Sequence, residues 1–390
     1  MFWSQAAYLA LVKRLKQQGA ALQPVPYDDL AGFAAQDHRD LVAGLQAHCF
    51  AISEAHPATR PAQPADEAYV GFCRAFAKVP PPATAQAAQL LLENHWQPCR
   101  IRNGAPGDMG LLTGYYEPEV EGSLVQTAEF AAPLYARPAD LVTFAQGQTP
   151  AHLAPHLAAA RALLNGELVA FFTRSEIESA ARQNLQPLIY VRDLVEAFLI
   201  QVQGSARVRT KDGGLYRIGY AGRNGHPYTS IGRILIQRGD IPEASMSLAG
   251  LKQWIRDAGQ ELGEAGHELM LANRSFVFFR LETALSAQQG PIGAAGLSLT
   301  PLQSIAVDRQ LWLYGLPFWI ESQLPWRSSQ VEPFSRLMLA QDTGSAILGP
   351  ARADIFFGTG LEAGARAGDI RHPARFTVLL PKRQATHGPQ

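Results

Sequence analysis

Apolar positions recur at intervals of three and four through roughly the first 100 residues, as in Asp40-Leu-Val-Ala-Gly-Leu-Gln-Ala-His-Cys-Phe, and this spacing predicts helices. Proline-rich stretches at 57–64 and 80–82 interrupt the pattern and predict turns. After Gly107 the texture changes, and Gly110-Leu-Leu-Thr-Gly-Tyr-Tyr reads as a strand running into a turn at Glu117-Pro118. Residues 119–288 mix types. Pro187-Leu-Ile-Tyr-Val, Ala197-Phe-Leu-Ile-Gln-Val-Gln and Leu215-Tyr-Arg-Ile-Gly-Tyr read as strands. Residues 232–238 and 248–258 read as helices, and 151–168, rich in Ala and Leu, as a helix or an ordered loop. From about 289 to 380 short strands return with glycine punctuation: Ser304-Ile-Ala-Val-Asp, Pro317-Phe-Trp-Ile, Arg336-Leu-Met-Leu-Ala, Ile355-Phe-Phe and Phe376-Thr-Val-Leu-Leu. Strands this short, with aspartates at or near their ends, predict a small closed barrel with polar groups at its mouth. The tail after Lys382 is expected to fray.

Composition narrows the classes. A chain of 390 residues, 47% hydrophobic, can bury a sizeable core and divides naturally into two domains. Lys+Arg and Asp+Glu each number 34, so there is no basic surplus for nucleic-acid binding, and none is expected. No apolar run approaches the roughly 20 residues of a membrane-spanning helix. The opening MFWSQAAYLALVKRLK places its apolar residues before its positive charges, the reverse of a secretory signal. The expectation is a trimmed form of an exported protein or a cytoplasmic one.

Cys49, Cys73 and Cys99 form no C-x-x-C pair and no cluster with zinc spacing. They read as three buried thiols, or as one disulfide and one free cysteine in an oxidising compartment. There is no phosphate loop, no dinucleotide fingerprint and no G-x-S-x-G elbow, so no metal or organic cofactor is expected.

The densest polar signal is Ala340-Gln-Asp-Thr-Gly-Ser-Ala-Ile followed by Gly349, Arg352 and Asp354-Ile-Phe-Phe-Gly-Thr-Gly. Asp342 closes an apolar strand and Gly344 supplies a turn. Twelve residues on, Asp354 opens the next apolar stretch. Asp308 ends Ile305-Ala-Val. An aspartate in such a place also serves plain turn or capping chemistry. If the carboxylates come together, one raises the pKa of another, and a raised carboxyl can give a proton near neutral pH and later take one back. Cleavage of a glycosidic bond needs that cycle.

In Thr113-Gly-Tyr-Tyr-Glu-Pro, Thr113, Tyr115 and Glu117 share one strand face, and Gly114 and Tyr116 share the other. One tyrosine can stack on a sugar while its neighbour packs inward, or both can be core residues. Gln203-Gly-Ser and Gly219-Tyr-Ala-Gly-Arg-Asn-Gly-His-Pro-Tyr are rich in groups that bond hydroxyl and acetamido substituents, and read equally as polar loops. His226, before Pro227 in a turn, reads as structural rather than catalytic. Asp342-Thr-Gly-Ser also matches the tetrapeptide of aspartic peptidases, which need two copies so that two aspartates share a proton. Here there is one copy, so that alternative requires a homodimer.

Taken in order, these stretches resemble the MltA family of lytic murein transglycosylases. The resemblance starts at Pro26-Tyr-Asp-Asp-Leu and continues through Thr113-Gly-Tyr-Tyr-Glu-Pro, Phe172-Thr-Arg-Ser-Glu-Ile and Val202-Gln-Gly-Ser-Ala. It goes on through Ile218 to Arg233, Ser275-Phe-Val-Phe-Phe-Arg, Pro291-Ile-Gly-Ala-Ala-Gly, Ala306-Val-Asp-Arg and residues 340–360. It implies a mainly β chain with an α-helical N-terminal part, a double-psi β-barrel core and an inserted second β-rich domain, with the substrate groove between them. The implied bounds are 1–118 for the helical part and first barrel strand, 119–288 for the insert, 289–382 for the segment completing the barrel, and 383–390 for a tail.

The implied enzyme is a peptidoglycan lytic exotransglycosylase, a carbon–oxygen lyase. It would cut the MurNAc–GlcNAc β-1,4 bond without water and leave a 1,6-anhydro end. By the same resemblance Asp354 is the catalytic acid and base, with Asp342 and Asp308 in support, and Thr113, Tyr116, Gln203 and Ser205 bind substrate. Cys49 and Cys73 match a cysteine pair of some members. The implied partners are glycan strands and other cell-wall enzymes. The implied state is a monomer, and the implied location is the periplasmic face of the outer membrane or the periplasm. A non-catalytic wall-binding protein on the same fold is the remaining alternative.

Overall fold

The N-terminal helices form where the apolar spacing predicts them, and three of the four begin at a capping side chain. The protein was analysed as a computed structural model that describes residues 4–144, 147–179, 185–282 and 289–382, so the tail after Lys382 lies outside the described residues. The chain opens with α1 (Gln5–Gln17), capped by the Ser4 side chain, and turns at Gly19 into β1 (Ala21–Pro24). Next come α2 (Arg39–Ser53), α3 (Glu67–Phe76) and α4 (Ala85–His95), the last two capped by Asp66 and Thr84. β2 (Trp96–Arg102) and β3 (Gly110–Glu117) follow.

The middle of the chain carries β4 (Glu119–Ser123), β5 (Ala132–Tyr135), β6 (Leu141–Thr143), β7 (Ala159–Ala162), β8 (Leu168–Ala170), α5 (Arg174–Ser179) and β9 (Pro187–Val191). It continues with α6 (Leu194–Gln203), β10 (Ser205–Thr210), β11 (Leu215–Arg223), α7 (Ile231–Arg238), α8 (Leu248–Asp257), α9 (Ala265–Leu271) and β12 (Val277–Glu282). The last segment holds β13 (Ser304–Val307), β14 (Pro317–Leu324), β15 (Glu332–Asp342), β16 (Arg352–Thr359), α10 (Leu361–Gly368) and β17 (Arg371–Pro381). The fold is mixed α/β.

Two compact units divide the chain. The first takes in the described parts of Met1–Tyr115, Ile292–Gly358 and Asp369–Gln390. Its sheet runs β1-β2-β17-β14-β15-β13-β16-β3, and β3 also pairs with β17. That extra pairing, Thr113 opposite Arg371, closes β17, β14, β15, β13, β16 and β3 into a ring of six strands. Closure removes the free edges a short sheet would otherwise present. Fully buried side chains cover both faces of the ring, Phe318, Ile355, Phe376 and Val378 on one and Trp319 and Leu339 on the other. Each contributes about 1.5–3 kcal/mol by leaving water. Gly44 lets α2 lie close to the barrel, since a Cβ there would stand 3.2 Å from Leu339 Cδ1.

The second unit comprises the described parts of Tyr116–Pro291 together with Thr359–Gly368. It has a six-stranded sheet, β12-β11-β10-β4-β9-β5, and a three-stranded one, β6-β7-β8. Ile189, Val191, Ile200, Val208, Ile218 and Phe279 pack on one face of the larger sheet. Val195, Phe198, Leu199, Leu235, Ile255 and Leu269 make a second cluster among the helices.

Two sequence expectations need correction here. Residues 197–203 are not a strand but the body of α6. The helix supplies side chains to both apolar clusters, so its run is apolar all round and carries no helical stripe. Its ends hold the decisive signal: Asp193 accepts from the Glu196 amide as N-cap, and Gly204 closes the helix in the left-handed region at φ 87°. Residues 151–168 hold turns and β7, with the Gly166 turn leading to β8, rather than a helix. All three cysteines are buried free thiols, Cys49 on α2 and Cys73 on α3 among them.

Candidate active site

The barrel brings the three aspartates together through one strand. On β13, Ala306 pairs with Asp342 of β15 on one side and with Asp354 of β16 on the other. Two strand spacings of about 4.8 Å put the two aspartate α-carbons about 10 Å apart, on the two strands that flank β13. The β13–β15 register slips between Ile305 and Ala306, skipping Gln341, and this bulge delivers Asp342 to the level of Asp354. Asp308 follows the end of β13 directly.

Asp354 retains partial solvent access. Its Oδ1 accepts from the Thr113 hydroxyl at 2.6 Å, while Oδ2 has no hydrogen bond among the described residues. Burial pushes its carboxyl above the ordinary range. The nearby Arg352 guanidinium and the Thr113 bond pull the other way, and the Asp342 charge adds a further push upward. A carboxyl in this state is able to hold a proton that an ordinary aspartate has lost.

Asp342 is surrounded by donors. The Tyr115 hydroxyl reaches its Oδ2 at 2.9 Å. Its Oδ1 receives Arg60 Nη2 at 2.9 Å, the Ala294 amide at 2.9 Å and the Thr343 amide at 2.8 Å. Burial and the two aspartates push the Tyr115 hydroxyl far above its ordinary pKa, so it remains a donor. Asp308 has a different place. Its Oδ1 accepts from the Gln310 amide and its Oδ2 from the Gly349 amide, both at about 2.9 Å or less, so it ties the turn after β13 to the loop joining β15 to β16.

Four of the seven residues singled out from sequence therefore belong to the barrel unit, Thr113, Asp308, Asp342 and Asp354, and Thr113, Asp342 and Asp354 act on one another there. Tyr116, Gln203 and Ser205 belong to the second unit. There the Tyr116 amide donates to Gln203 Oε1 at 3.2 Å, and its ring lies over Gly364, where a Cβ would come within 2.6 Å of it. Ser205 opens β10, half-buried. His226 is buried with Nε2 on the Phe171 carbonyl, as a structural histidine. Sequence reasoning placed Arg352 in the same polar stretch as Asp354 but did not single out Arg60 or the hydroxyl of Tyr115 as barrel-mouth groups. Strand alternation already placed Tyr115 with Thr113, but Arg60 lies within the proline-rich stretch 57–64, which has no periodicity. Among the described residues no three His, Cys, Asp or Glu side chains are grouped to hold a metal ion.

The chain is similar to known proteins along most of its length. Residues 111–280 match the family model described as the MltA specific insert domain, and residues 303–380 match the 3D domain. The membrane-bound lytic murein transglycosylase A of Escherichia coli (strain K12) is 32% identical over 272 residues, 69% of this chain. That match spans 65% of the relative's own length, just under two thirds. The crystal structure of a membrane-bound lytic murein transglycosylase from Agrobacterium tumefaciens superposes with a TM-score of 0.80 at 34% identity, covering 92% of this chain and 97% of that one. MltA from Neisseria gonorrhoeae superposes with a TM-score of 0.73 at 28% identity, covering 94% of each chain.

Proposed function

The chain belongs to the MltA family of lytic murein transglycosylases, and from that footing we propose that it cleaves the MurNAc–GlcNAc β-1,4 bond of peptidoglycan with Asp354 as its single acid and base. The observation that carries this reading is the Asp354 carboxyl, raised by burial yet partly accessible, with one oxygen held by Thr113 and the other unbonded among the described residues.

In the proposed reaction the unbonded oxygen gives its proton to the bridging glycosidic oxygen. The C1–O bond of the muramyl sugar breaks with its electron pair leaving on that oxygen. The C6 hydroxyl of the same sugar then attacks C1, and the Asp354 carboxylate takes the hydroxyl proton. The proton count on Asp354 is restored and the product is a 1,6-anhydro end. Hydrolytic glycosidases commonly employ a second carboxylate as base or nucleophile. Asp342 is poorly placed for that, because its oxygens are already engaged by Tyr115, Arg60 and two amides. The same engagement leaves it unsuited to share a proton with a second aspartate, as the peptidase alternative needs.

The six-stranded ring is the part we assign to the double-psi barrel, and the second unit to the insert. Thr113, Tyr116, Gln203 and Ser205 are proposed sugar-binding positions, with glycan strands as the partner. No helix among the described residues is long and apolar enough to cross a membrane. The relatives' names call them membrane-bound, and we place this protein at the periplasmic face of the outer membrane. The test is mass spectrometry of purified peptidoglycan after digestion. Anhydro-muramyl products are expected; products heavier by one water would replace this reading with hydrolysis.

A further inference from the structure

The second unit contains a small cavity, about 220 Å³, whose wall includes Tyr116, Leu199, Ile200 and two oppositely charged side chains, Glu196 of α6 and Lys252 of α8. Lys252 is half-buried and makes no ion pair or hydrogen bond among the described residues, although the charges of Arg256, Glu196 and Asp193 act on it. Burial lowers the pKa of its ammonium, and burial likewise raises that of the Glu196 carboxyl. The two charges feel each other across the cavity without forming an ion pair; Glu196 accepts from the Arg192 amide at 3.2 Å and lies 4.0 Å from Arg256 Nη2, while the Lys252 ammonium has no direct partner among the described residues. A lone anion entering the cavity would meet Glu196, Glu119 and Glu121; a lone cation would meet Lys252 and Arg192. A ligand carrying both charges satisfies both walls, and Leu199 and Ile200 offer an apolar floor for a short methylene chain. The volume is below the roughly 300 Å³ of a drug-sized pocket, which suits one amino-acid head and not a run of sugars.

We propose that this cavity binds a zwitterionic amino-acid end group, with its carboxylate on Lys252 and its ammonium on Glu196. The inference rests on the murein reading for its source: peptide stems of peptidoglycan that contain diaminopimelate end a side chain in such a head when they are not cross-linked. Free amino acids share the chemistry, and the experiment separates the two.

The experiment titrates the whole chain, followed by NMR, with three probes: the diaminopimelate-containing tetrapeptide, the same peptide N-acetylated on that side chain, and free meso-diaminopimelate. Saturable binding of the tetrapeptide is expected, with about tenfold weakening in Lys252→Met and in the N-acetylated probe, the scale of one charge-assisted contact. Lys252→Arg keeps the charge and should keep most of the affinity, which separates a lost contact from a damaged fold. Tighter binding of the peptide than of the free amino acid identifies the stem as the source; the reverse order assigns the cavity to the free amino acid and overturns the stem. Absence of saturable binding, or equal affinity in wild type, Lys252→Met and Glu196→Gln, overturns the proposal. Cleavage of peptide-free glycan by the wild type is measured alongside, and its failure would sink the enzyme reading while leaving the binding result intact.

Discussion

The Tyr115 hydroxyl donates to Oδ2 of Asp342 at 2.9 Å, while Thr113, two positions earlier on the same strand face, donates to Asp354 at 2.6 Å. One strand thus supports both carboxylates, and the two hydroxyls have different effects. Tyr115 is one of four donors on Asp342; its loss frees Oδ2, while the other three still hold Oδ1. Tyr115→Phe is expected to cost about 1.5–3 kcal/mol of stability, the worth of a hydrogen bond to a charged group. It should lower turnover modestly and leave an active enzyme. Urea denaturation and steady-state kinetics check both parts, and an inactive but stably folded variant would give Tyr115 a direct part in the chemistry.

Thr113 favours the charged form of Asp354, because its hydroxyl bonds the carboxylate. Thr113→Val removes that preference, so the Asp354 pKa should rise further. An acid must be protonated to act, and wild-type activity is expected to fall as pH rises through the Asp354 pKa. In Thr113→Val this falling limb should move to higher pH. A pH profile of kcat/KM reads the shift; a limb that moved to lower pH would contradict the assigned direction.

The same pKa has a consequence for stability. Asp354 holds its proton more tightly folded than unfolded, so its contribution is fully present below the unfolded pKa and is lost as pH rises through the higher folded one. Asp354→Asn never ionises, and its amide oxygen still accepts from Thr113. The variant should therefore melt higher than wild type at neutral pH, with the difference closing as pH falls below the ordinary aspartate range. Equal melting temperatures across that span would show that burial does not penalise this charge.

Much of the barrel was legible because its strands are short apolar runs ending in aspartates, and Ser304–Val307 and Arg352–Thr359 fall where the pattern put them. Its closure was not legible. The pairing of Thr113 with Arg371 joins segments far apart in the chain, and no local pattern encodes it. The bulge at Gln341 was equally hidden, since one skipped residue leaves the apolar run unchanged. Asp342 and Asp354 stood out as carboxylates, but which of them is surrounded by donors depends on Arg60 and the Ala294 amide, brought in from elsewhere. α6 was misread for the opposite reason: burial on two sides erased the stripe that marks a helix.

Glu117 ends the strand that carries Thr113 and Tyr115, and lies fully buried in the second unit. Arg217 Nε reaches its Oε1 at 2.8 Å and Arg207 Nε its Oε2 at 3.0 Å, and the Thr359 hydroxyl adds a third donor at 2.7 Å. Removing one partner from such a group leaves buried charge uncompensated. Glu117→Gln is expected to cost about 3–5 kcal/mol, visible as a lower denaturation midpoint. A replacement tolerated without loss would mean that water or another anion compensates the two arginines.

Asp354→Asn and Asp342→Asn separate the proposed roles. Asn at 354 keeps the shape and the Thr113 bond but can neither give a proton nor take one back. Turnover should drop by at least ~10²-fold, the usual worth of acid–base catalysis, with glycan binding retained. Asn at 342 still accepts at its amide oxygen but loses the charge opposite Arg60. Its effect should fall on stability and on the tuning of Asp354: with the Asp342 charge gone, the Asp354 pKa should drop and the falling limb move to lower pH. Kinetics and a glycan-binding assay on both variants decide the matter. Near-wild-type turnover in Asp354→Asn with loss in Asp342→Asn would reverse the assignment. Full activity in both would remove the barrel mouth from the chemistry altogether.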